Sequence, residues 1–417
     1  MRQNNKTVLM VAFHFPPFTG SSGVQRTLRF VQHLPRYGWQ AVVLSVNPRA
    51  YESTSEDLIA SIPEGTHVQR TFAFDAARHF SVANRYPGFL ARPDRWMSWK
   101  WSAVGAGLRL IDRFKPGAIW STYPIATAHL IGSELQKRSR LPWVADFRDP
   151  MVFDDYPPDP ATWRSFKAIE QDALHRARFS VLCTPGARRR YAHAYPDVPQ
   201  QRLAVIENGF DEESFAGVME ASVRAGPLLG GRIVLLHSGI VYGSERDPTR
   251  LIEALARIKA TDPDRARRLT VRFRASSNDA LLRSLSDKEG VSEMVELLPP
   301  IPYRQALEEI VRADGLLVLQ AANSNEQIPA KLYEYFRSGR PILGLTDAKG
   351  DTASAIRAAG INDIAPLDDV EAIHAALARW VNEIESGTAA RPSDKTALSS
   401  TRAARAGELA LLLERVA

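Results

Sequence analysis

The chain has 417 residues, of which 45% are hydrophobic and 24% charged, the balance of an ordinary globular protein that is too long for one hydrophobic core. Its single cysteine, Cys183, excludes an internal disulfide framework and a multi-cysteine zinc site, and we expect it to pack in a strand. No run approaches the roughly 20 apolar residues of a membrane-spanning helix, and the apolar run at residues 7–13 lacks the cleavage pattern of a signal peptide. These features predict a reducing, cytoplasmic compartment.

The net charge of +6 is concentrated in the N-terminal half. Residues 1–215 carry 27 Lys/Arg against 20 Asp/Glu, whereas the remainder carries 26 against 27. A basic half suits an anionic partner such as a phosphorylated ligand or an anionic membrane surface, although these arginines are alternatively just solvated. We expect no nucleic-acid partner, because no basic and aromatic motif typical of RNA or DNA binding occurs.

The first half alternates strand and helix signals. Residues 8–13 have an apolar strand pattern, residues 14–23 form a Gly/Pro/Ser loop, and residues 24–34 place apolar side chains at helical spacing. Further strands are predicted at residues 40–46, 68–72, 118–121, 143–146, 180–183 and 203–206, with helices near 101–114, 124–138, 161–177 and 186–194. Strands that alternate with helices predict a parallel sheet covered on both faces.

The pattern restarts after a turn signal at residues 208–211 and an irregular stretch. Strands are predicted near residues 232–237, 269–275, 294–298, 315–320, 341–345 and 363–365. The predicted domains are an N-terminal domain at 1–215, a linker at 216–231, a second domain at 232–395, and a C-terminal helix at 396–417 whose expected packing partner is the first domain. Two α/β domains, each with a doubly wound parallel sheet, imply an interdomain cleft, with sites at the carboxyl ends of the strands.

Two loops at predicted strand ends carry residues suited to an anion. Gly20 and Gly23 precede a helix, where backbone N–H groups can approach a phosphate closely; a plain tight turn is the alternative. Arg246 lies in a glycine-bearing loop at residues 238–248. It is either a clamp on phosphate oxygens or a surface arginine paired with a neighbouring acid.

A third loop, residues 321–327, leads into a helix predicted to begin at Pro329, because proline is tolerated in a first helical turn. Lys331 lies in that turn, where the N–H groups and the helix dipole already attract an anion. Glu326 and Glu334 stand on either side of the helix start. The alternative is an exposed helix terminus with incidental charge.

These loops together resemble a two-domain glycosyltransferase of the GT-B fold, in the family 4 (group 1) class that uses nucleotide-activated sugars. Glu326 and Glu334 fit that family's E-x7-E pattern. Other segments that resemble the family are the donor helix at 329–335, the arginine loop at 242–248, the Asn-Gly-x-Asp turn at 208–211, the N-terminal glycine loop at 13–23 and a bacterial subgroup's segment at 141–150. The expected architecture is therefore two Rossmann-like domains facing across a cleft.

The resemblance implies transfer with retention of anomeric configuration and without a metal or other cofactor. Arg246 and Lys331 would neutralise the departing nucleotide diphosphate, on whose oxygens the leaving-group charge develops. Glu326 would contact the transferred sugar, and Glu334 the nucleotide ribose. The remaining donor-binding candidates are Gly20, Ser22, Gly23, Ser238, Gly239, Ile328 and Pro329.

The acceptor side departs from the family pattern, which often has a histidine where this chain has residues 121–124. His129 lies further on in a predicted helix and is expected to be structural. Residues 86–101 combine tryptophans with arginine and lysine, which suits a lipid interface or, alternatively, a cover over the first domain's core. The acceptor-side candidates are Thr122, Asp146, Asp149 and Arg148, the last alternatively paired with a neighbouring carboxylate.

The leading hypothesis is a glycosyltransferase that moves a sugar from a nucleotide-sugar donor to a glycan or lipid-linked acceptor, in the synthesis of a cell-surface polysaccharide or glycolipid. We expect it in the cytoplasm, with a peripheral contact to the inner face of an anionic membrane. The alternatives are a nucleotide-sugar epimerase of the same fold and a non-catalytic nucleotide-sugar-binding subunit.

Overall fold

The computed structural model describes residues 6–19, 22–79 and 91–417. The chain divides into two compact units. The first comprises Met1–Asn208 together with Arg402–Ala417, and the second comprises Gly209–Thr401.

The first unit is built on a seven-stranded sheet. Its strands are β1 (Thr7–Val11), β2 (Gln40–Val46), β3 (His67–Thr71), β4 (Ala118–Thr122), β5 (Trp143–Arg148), β6 (Phe179–Leu182) and β7 (Leu203–Val205). They lie in the order β3-β2-β1-β4-β5-β6-β7, and every neighbouring pair is parallel. Leu9 and Val11 of β1 enter one apolar cluster while Val8 and Met10 enter another, so both faces of the sheet are buried. This explains the near-continuous apolar run of the strand.

Helices join these strands in the first unit. They are α1 (Ser22–His33), α2 (Ala76–His79), α3 (Trp99–Phe114), α4 (Ala126–Ser139), α5 (Pro160–Arg176) and α6 (Pro185–Ala194). Side-chain caps start two of them: Asp159 accepts a hydrogen bond from the N–H of Thr162 in α5, and Thr184 accepts one from the N–H of Ala187 in α6. In both cases the next residue is a proline. Proline suits this position because the N–H that it lacks would have no partner within the helix.

The second unit repeats this construction with a six-stranded parallel sheet. Its strands are β8 (Ile233–Ser238), β9 (Leu269–Arg274), β10 (Val295–Leu298), β11 (Gly315–Gln320), β12 (Ile342–Thr346) and β13 (Ile364–Ala365), in the order β10-β9-β8-β11-β12-β13. Its helices are α7 (Val218–Ala225), α8 (Thr249–Thr261), α9 (Pro263–Arg268), α10 (Asp279–Lys288), α11 (Tyr303–Arg312), α12 (Lys331–Ser338), α13 (Asp351–Ala358), α14 (Val370–Ser386) and α15 (Asp394–Ser399).

The chain around the predicted domain boundaries differs from expectation. Residues 216–231, predicted to be a linker, contain α7, which packs against α11 within the second unit. The predicted final helix is two helices: α15 belongs to the second unit, and α16 (Arg402–Glu414) belongs to the first. There α16 packs on α1 and buries Leu409 and Leu413.

Two further expectations concern the packing of Cys183 and membrane-spanning helices. Cys183 lies just after the end of β6 and not in the strand as predicted, but it is buried and unbridged, and burial raises the pKa of its thiol to about 12, which fits the predicted packing role. Within the described parts of the chain, no helix is both long enough and apolar enough to cross a membrane.

Candidate functional site

His237 lies next to Lys331, a residue of the predicted donor site. It is the penultimate residue of β8 and is buried. Its Nδ1 lies 3.1 Å from the carbonyl oxygen of Leu317, and its Nε2 lies 3.0 Å from Nζ of Lys331. Burial and, next, the charge of Lys331 hold the pKa of His237 well below its usual value, so the ring is neutral. A neutral ring that donates from Nδ1 accepts from the ammonium at Nε2, and it thereby positions Lys331.

Lys331 is the first residue of α12. Burial, followed by the charge of Arg246, lowers the pKa of Lys331 well below its usual value, while Glu334 opposes that shift. Gly239 permits this arrangement, because it has a φ of +115° and a Cβ added to it would lie 3.2 Å from Nζ of Lys331. The N–H of Ser238 donates to the hydroxyl oxygen of Tyr335 at 3.0 Å, which ties the end of β8 to α12.

Arg246 is held by its own loop and not by an acid. Its Nη1 donates to the carbonyl oxygen of Ile240 at 2.8 Å, and its guanidinium lies over the ring of Tyr242. Among the described residues Arg246 makes no ion pair and its buried Nε has no hydrogen-bond partner; Asp247 instead accepts from the N–H of Thr249. Burial lowers the pKa of Arg246. Arg246 and Lys331 therefore repel each other in a partly buried place that favours an anion.

Hydrogen bonds and packing hold the loop before α12. Gln327 accepts a hydrogen bond through its carbonyl oxygen from Thr352 at 2.9 Å. Ile328 and Pro329 are buried, so they contribute packing. Ala330 is the N-cap residue, and the helix therefore begins at Lys331, two residues after the predicted start at Pro329. That start still leaves Lys331 in the first turn.

The two glutamates of the predicted donor site differ in their surroundings. Glu326 lies partly buried in the loop before α12. Glu334 lies one turn into the helix, and its Oε1 accepts a hydrogen bond of 2.7 Å from the hydroxyl of Tyr303, at the start of α11. The hydroxyl fixes one carboxylate oxygen of Glu334, so this side chain is oriented before any ligand binds.

The sequence reasoning missed three residues of this site: His237, Tyr335 and Tyr303. A signal existed for His237, because it lies in the strand directly before the Ser238–Gly239 pair that was predicted to bind the donor. Tyr335 follows Glu334 in the predicted donor helix. Tyr303 had no such signal, since its contact with Glu334 depends on how α11 packs.

In the first unit, Asp146 forms a buried ion pair with a residue that the sequence did not single out. Nε of Arg26 donates to Oδ2 of Asp146 at 2.8 Å, and Nη2 donates to Oδ1 at 3.0 Å. Thr122 donates its hydroxyl to the same carboxylate at 3.3 Å. Arg26 donates further to the carbonyl oxygens of Ile206 and Glu207. Both members of the pair are buried, so the pair stabilises the first unit, while the acceptor-side roles of Asp146 and Thr122 stay predictions.

Other polar groups lie near this pair. Arg148 has a φ of +63°, and its charge partly offsets the effect of burial, which raises the pKa of Asp149. His14, just beyond β1, stacks on Phe18 with ring centroids 4.5 Å apart. Burial and then Arg148 lower the pKa of His14 to about 4. The structure thus has a neutral histidine just beyond β1 and not at residues 121–124, where the resembled family often has one.

The remaining predictions for the first unit have mixed outcomes. His129 lies 2.8 Å from the Ser121 hydroxyl through Nδ1, and burial lowers its pKa to about 3, which confirms a structural role. Ser22 begins α1, and Gly23 therefore lies inside the first turn of the helix and not in the loop before it. Gly20 lies outside the described residues. The roles of Arg148 and Asp149 stay predictions.

No protein-family model and no curated protein sequence matches the chain. Many solved structures are similar to it over nearly its whole length, among them the following three. HepE from Anabaena, in complex with UDP and glucose, has a TM-score of 0.64 at 13% identity, with 98% of this chain and 99% of that chain covered. The lipopolysaccharide outer core galactosyltransferase WaaB has a TM-score of 0.61 at 11% identity, with 98% and 99% covered.

The third is the UDP-GlcNAc 2-epimerase from Neisseria meningitidis bound to UDP-GlcNAc, with a TM-score of 0.54 at 11% identity and 98% and 100% of the two chains covered. Identities this low establish architecture only. The two parallel-sheet units and these neighbours agree on the two-domain, Rossmann-like GT-B fold.

Proposed function

We propose that the protein is a glycosyltransferase, similar to those of family 4, that moves a sugar from a nucleotide-sugar donor to a glycan or lipid-linked acceptor. The observation that carries this proposal is the convergence of Arg246 and Lys331 at one end of the second unit's sheet. Both are partly buried and neither forms an ion pair among the described residues. A diphosphate would offset their repulsion and their lost hydration.

The chemistry follows from where charge develops. The bond between sugar C1 and the diphosphate oxygen breaks, and a bond from C1 to the acceptor oxygen forms on the same face of the ring. The acceptor's hydroxyl proton passes to the departing diphosphate. Arg246 and Lys331 stabilise the charge on that diphosphate, Glu326 contacts the sugar hydroxyls, and Glu334 holds the ribose. Two side-chain cations in this role remove the need for a metal ion.

The neighbours support the proposal through what they contain. HepE has been seen with UDP, with UDP and glucose, and with UDP-glucose. WaaG is a glycosyltransferase involved in lipopolysaccharide biosynthesis. We infer by analogy that this chain also acts in cell-surface polysaccharide or glycolipid synthesis. Because one neighbour is an epimerase, epimerisation of a nucleotide sugar is the second candidate reaction.

The test is a thermal-shift screen with UDP-, GDP- and dTDP-sugars, followed by a turnover assay. Wild type is compared with Lys331→Ala and Glu334→Ala, and with Lys349→Ala as a control, because Lys349 is an exposed lysine of the same unit. We expect both site variants to lose stabilisation by the donor while the control keeps it. If both match wild type in donor binding and turnover, the site assignment is wrong.

Products separate the alternatives. A nucleotide sugar incubated without acceptor should yield no epimer, and an epimer would establish the second reaction. Tight donor binding without turnover across a panel of acceptors would favour a binding subunit. The anomeric configuration of the product, read by NMR, tests retention, and turnover unchanged by EDTA tests metal independence.

A further inference from the structure

An exposed aromatic surface lies beside the edge strand of the first unit's sheet. We define it by Phe72, Phe74 and Trp101, which are 54%, 39% and 73% exposed. The rings of Phe72 and Phe74 meet edge to face with centroids 4.5 Å apart. Three large apolar side chains grouped in water are costly to the free protein, and such patches mark interaction sites.

Hydrogen bonds place the tryptophan next to the two phenylalanines. Ser98, at the N-cap of α3, accepts from the N–H of Phe74 at 2.7 Å, and Ser102 donates its hydroxyl to the carbonyl oxygen of Phe72 at 2.5 Å. Trp101 directly precedes Ser102, whose hydroxyl contacts Phe72, so the tryptophan lies beside the chain that leaves β3. The three exposed aromatic residues are therefore neighbours in the fold, and we treat them as one surface.

The tryptophans of residues 86–101, predicted to form a lipid interface or to cover the core, divide between these two environments. Trp99 is fully buried, and Trp96 packs on Phe13 with ring centroids 4.6 Å apart, so these two cover the core, as the alternative proposed. Residues 86–90 lie outside the described part of the chain. Trp101 is the tryptophan of this segment that points outward, and its aromatic neighbours come from elsewhere in the sequence.

The charges around the surface are positive. Lys100 adjoins Trp101, and Arg109 lies on the same helix face, with Nη1 3.8 Å from the Cβ position of Gly105. Neither cation forms an ion pair with the residues that the structure describes. The nearby carboxylates are neutralised: Asp75 is buried beside Arg95, and Asp112 pairs with Lys115.

We propose that this aromatic surface docks on an anionic lipid bilayer. Tryptophan and phenylalanine sit well at the boundary between head groups and acyl chains, and unpaired lysine and arginine beside them are attracted to anionic head groups. A second copy of the chain would bring a surface of the same charge, which opposes self-association. The proposal does not depend on the glycosyltransferase activity.

The experiment is co-sedimentation of the full chain with vesicles of phosphatidylcholine alone and of phosphatidylcholine mixed with phosphatidylglycerol. We expect binding to the mixed vesicles that weakens with salt. Trp101→Ala should lower the partition coefficient roughly tenfold, because it removes one aromatic side chain from the apolar layer. Arg109→Gln should lower it severalfold. Leu411→Ala, at an exposed apolar residue of the same unit, is the matched control and should bind as wild type does.

Two further measurements keep the result interpretable. Trp101→Phe should keep binding and lose most of the fluorescence quenching by brominated lipid, which locates the contact at this side chain. Equal thermal melts show that the variants fold, as exposed positions should. The proposal is overturned if wild type ignores the mixed vesicles or if Trp101→Ala binds them equally. It is also overturned if Trp101→Ala only converts a dimer into a monomer.

Discussion

The buried pair of Arg26 and Asp146 allows the sharpest quantitative prediction. Asp146→Ala removes the acceptor of two Arg26 hydrogen bonds, of 2.8 and 3.0 Å. The guanidinium keeps its bonds to the carbonyl oxygens of Ile206 and Glu207, but it stays buried without a counter-charge. Breaking one side of a buried ion pair typically costs about 3–5 kcal/mol. For a unit of more than two hundred residues this corresponds to a fall in Tm of about 10 °C.

Tryptophan fluorescence is a selective readout of this loss. Seven of the eight tryptophans lie in the first unit and only Trp380 lies in the second, so urea unfolding followed by fluorescence reports the unit that contains the pair. Asp155→Ala, at an exposed carboxylate, is the control and should stay within about 0.5 kcal/mol of wild type. The double variant Arg26→Met with Asp146→Leu should recover most of the lost stability, because well-packed apolar side chains can replace a buried ion pair.

The structural reading of Asp146 is refuted by two results. The first is an Asp146→Ala variant within about 1 kcal/mol of wild type, a change too small for a broken buried pair. The second is a double variant that is as unstable as Asp146→Ala. Because the double variant has no buried guanidinium, that result would show that the unpaired charge of Arg26 is not the cause of the lost stability. A stable Asp146→Ala variant that had lost activity would return Asp146 to the acceptor side.

Four further predictions concern single residues. Lys331→Ala should lower kcat by about a hundredfold to a thousandfold in a transfer assay, the usual effect of losing one preorganised charge on the leaving group. Gly239→Ala should destabilise the second unit by about 1–2 kcal/mol in urea melts and weaken UDP binding, because its positive φ disfavours alanine and the new methyl group crowds Lys331. Tyr303→Phe should weaken UDP binding about fivefold in calorimetry, because the hydrogen bond that orients Glu334 is lost. The same substitution should leave the affinity for a 2′-deoxy analogue unchanged. His129 is neutral in the folded protein but becomes protonated in the unfolded chain below about pH 6.5. The free energy of unfolding should therefore fall by about 2 kcal/mol from pH 7 to 5 because of this residue. In urea melts at both pH values, His129→Asn should remove that part of the pH dependence.

The sequence could predict the parallel α/β architecture because its strands are buried on both faces and read as short apolar runs between helical patterns. It could also predict that Arg246 and Lys331 belong to one site. Each follows the carboxyl end of a strand, and those strands, β8 and β11, are neighbours in the sheet. Loops that follow neighbouring parallel strands emerge at the same edge. The donor candidates could therefore be proposed from the sequence, whereas the strand order that brings their loops to one edge came from the structure.

Other features depended on contacts between distant residues. The position of His237 next to Ser238 and Gly239 is visible in the sequence, but its contact with Lys331, 94 residues later, exists only because α12 packs beside β8. Arg26 and Asp146 are 120 residues apart, and nothing local marks them as partners. The split between α15 and α16 is invisible in their helical patterns, because what separates them is the unit on which each one packs.

The tryptophans of α3 show the same division between local pattern and packing. Helical spacing alone places Trp99 and Trp101 on different faces, since two residues turn a helix by more than half a circle. Periodicity cannot say which of those faces is covered. The packing of α3 against the sheet buries Trp99 and leaves Trp101 in water. Sequence thus determined the elements and the chemistry at their ends, whereas tertiary packing decided which side chains meet and which remain exposed.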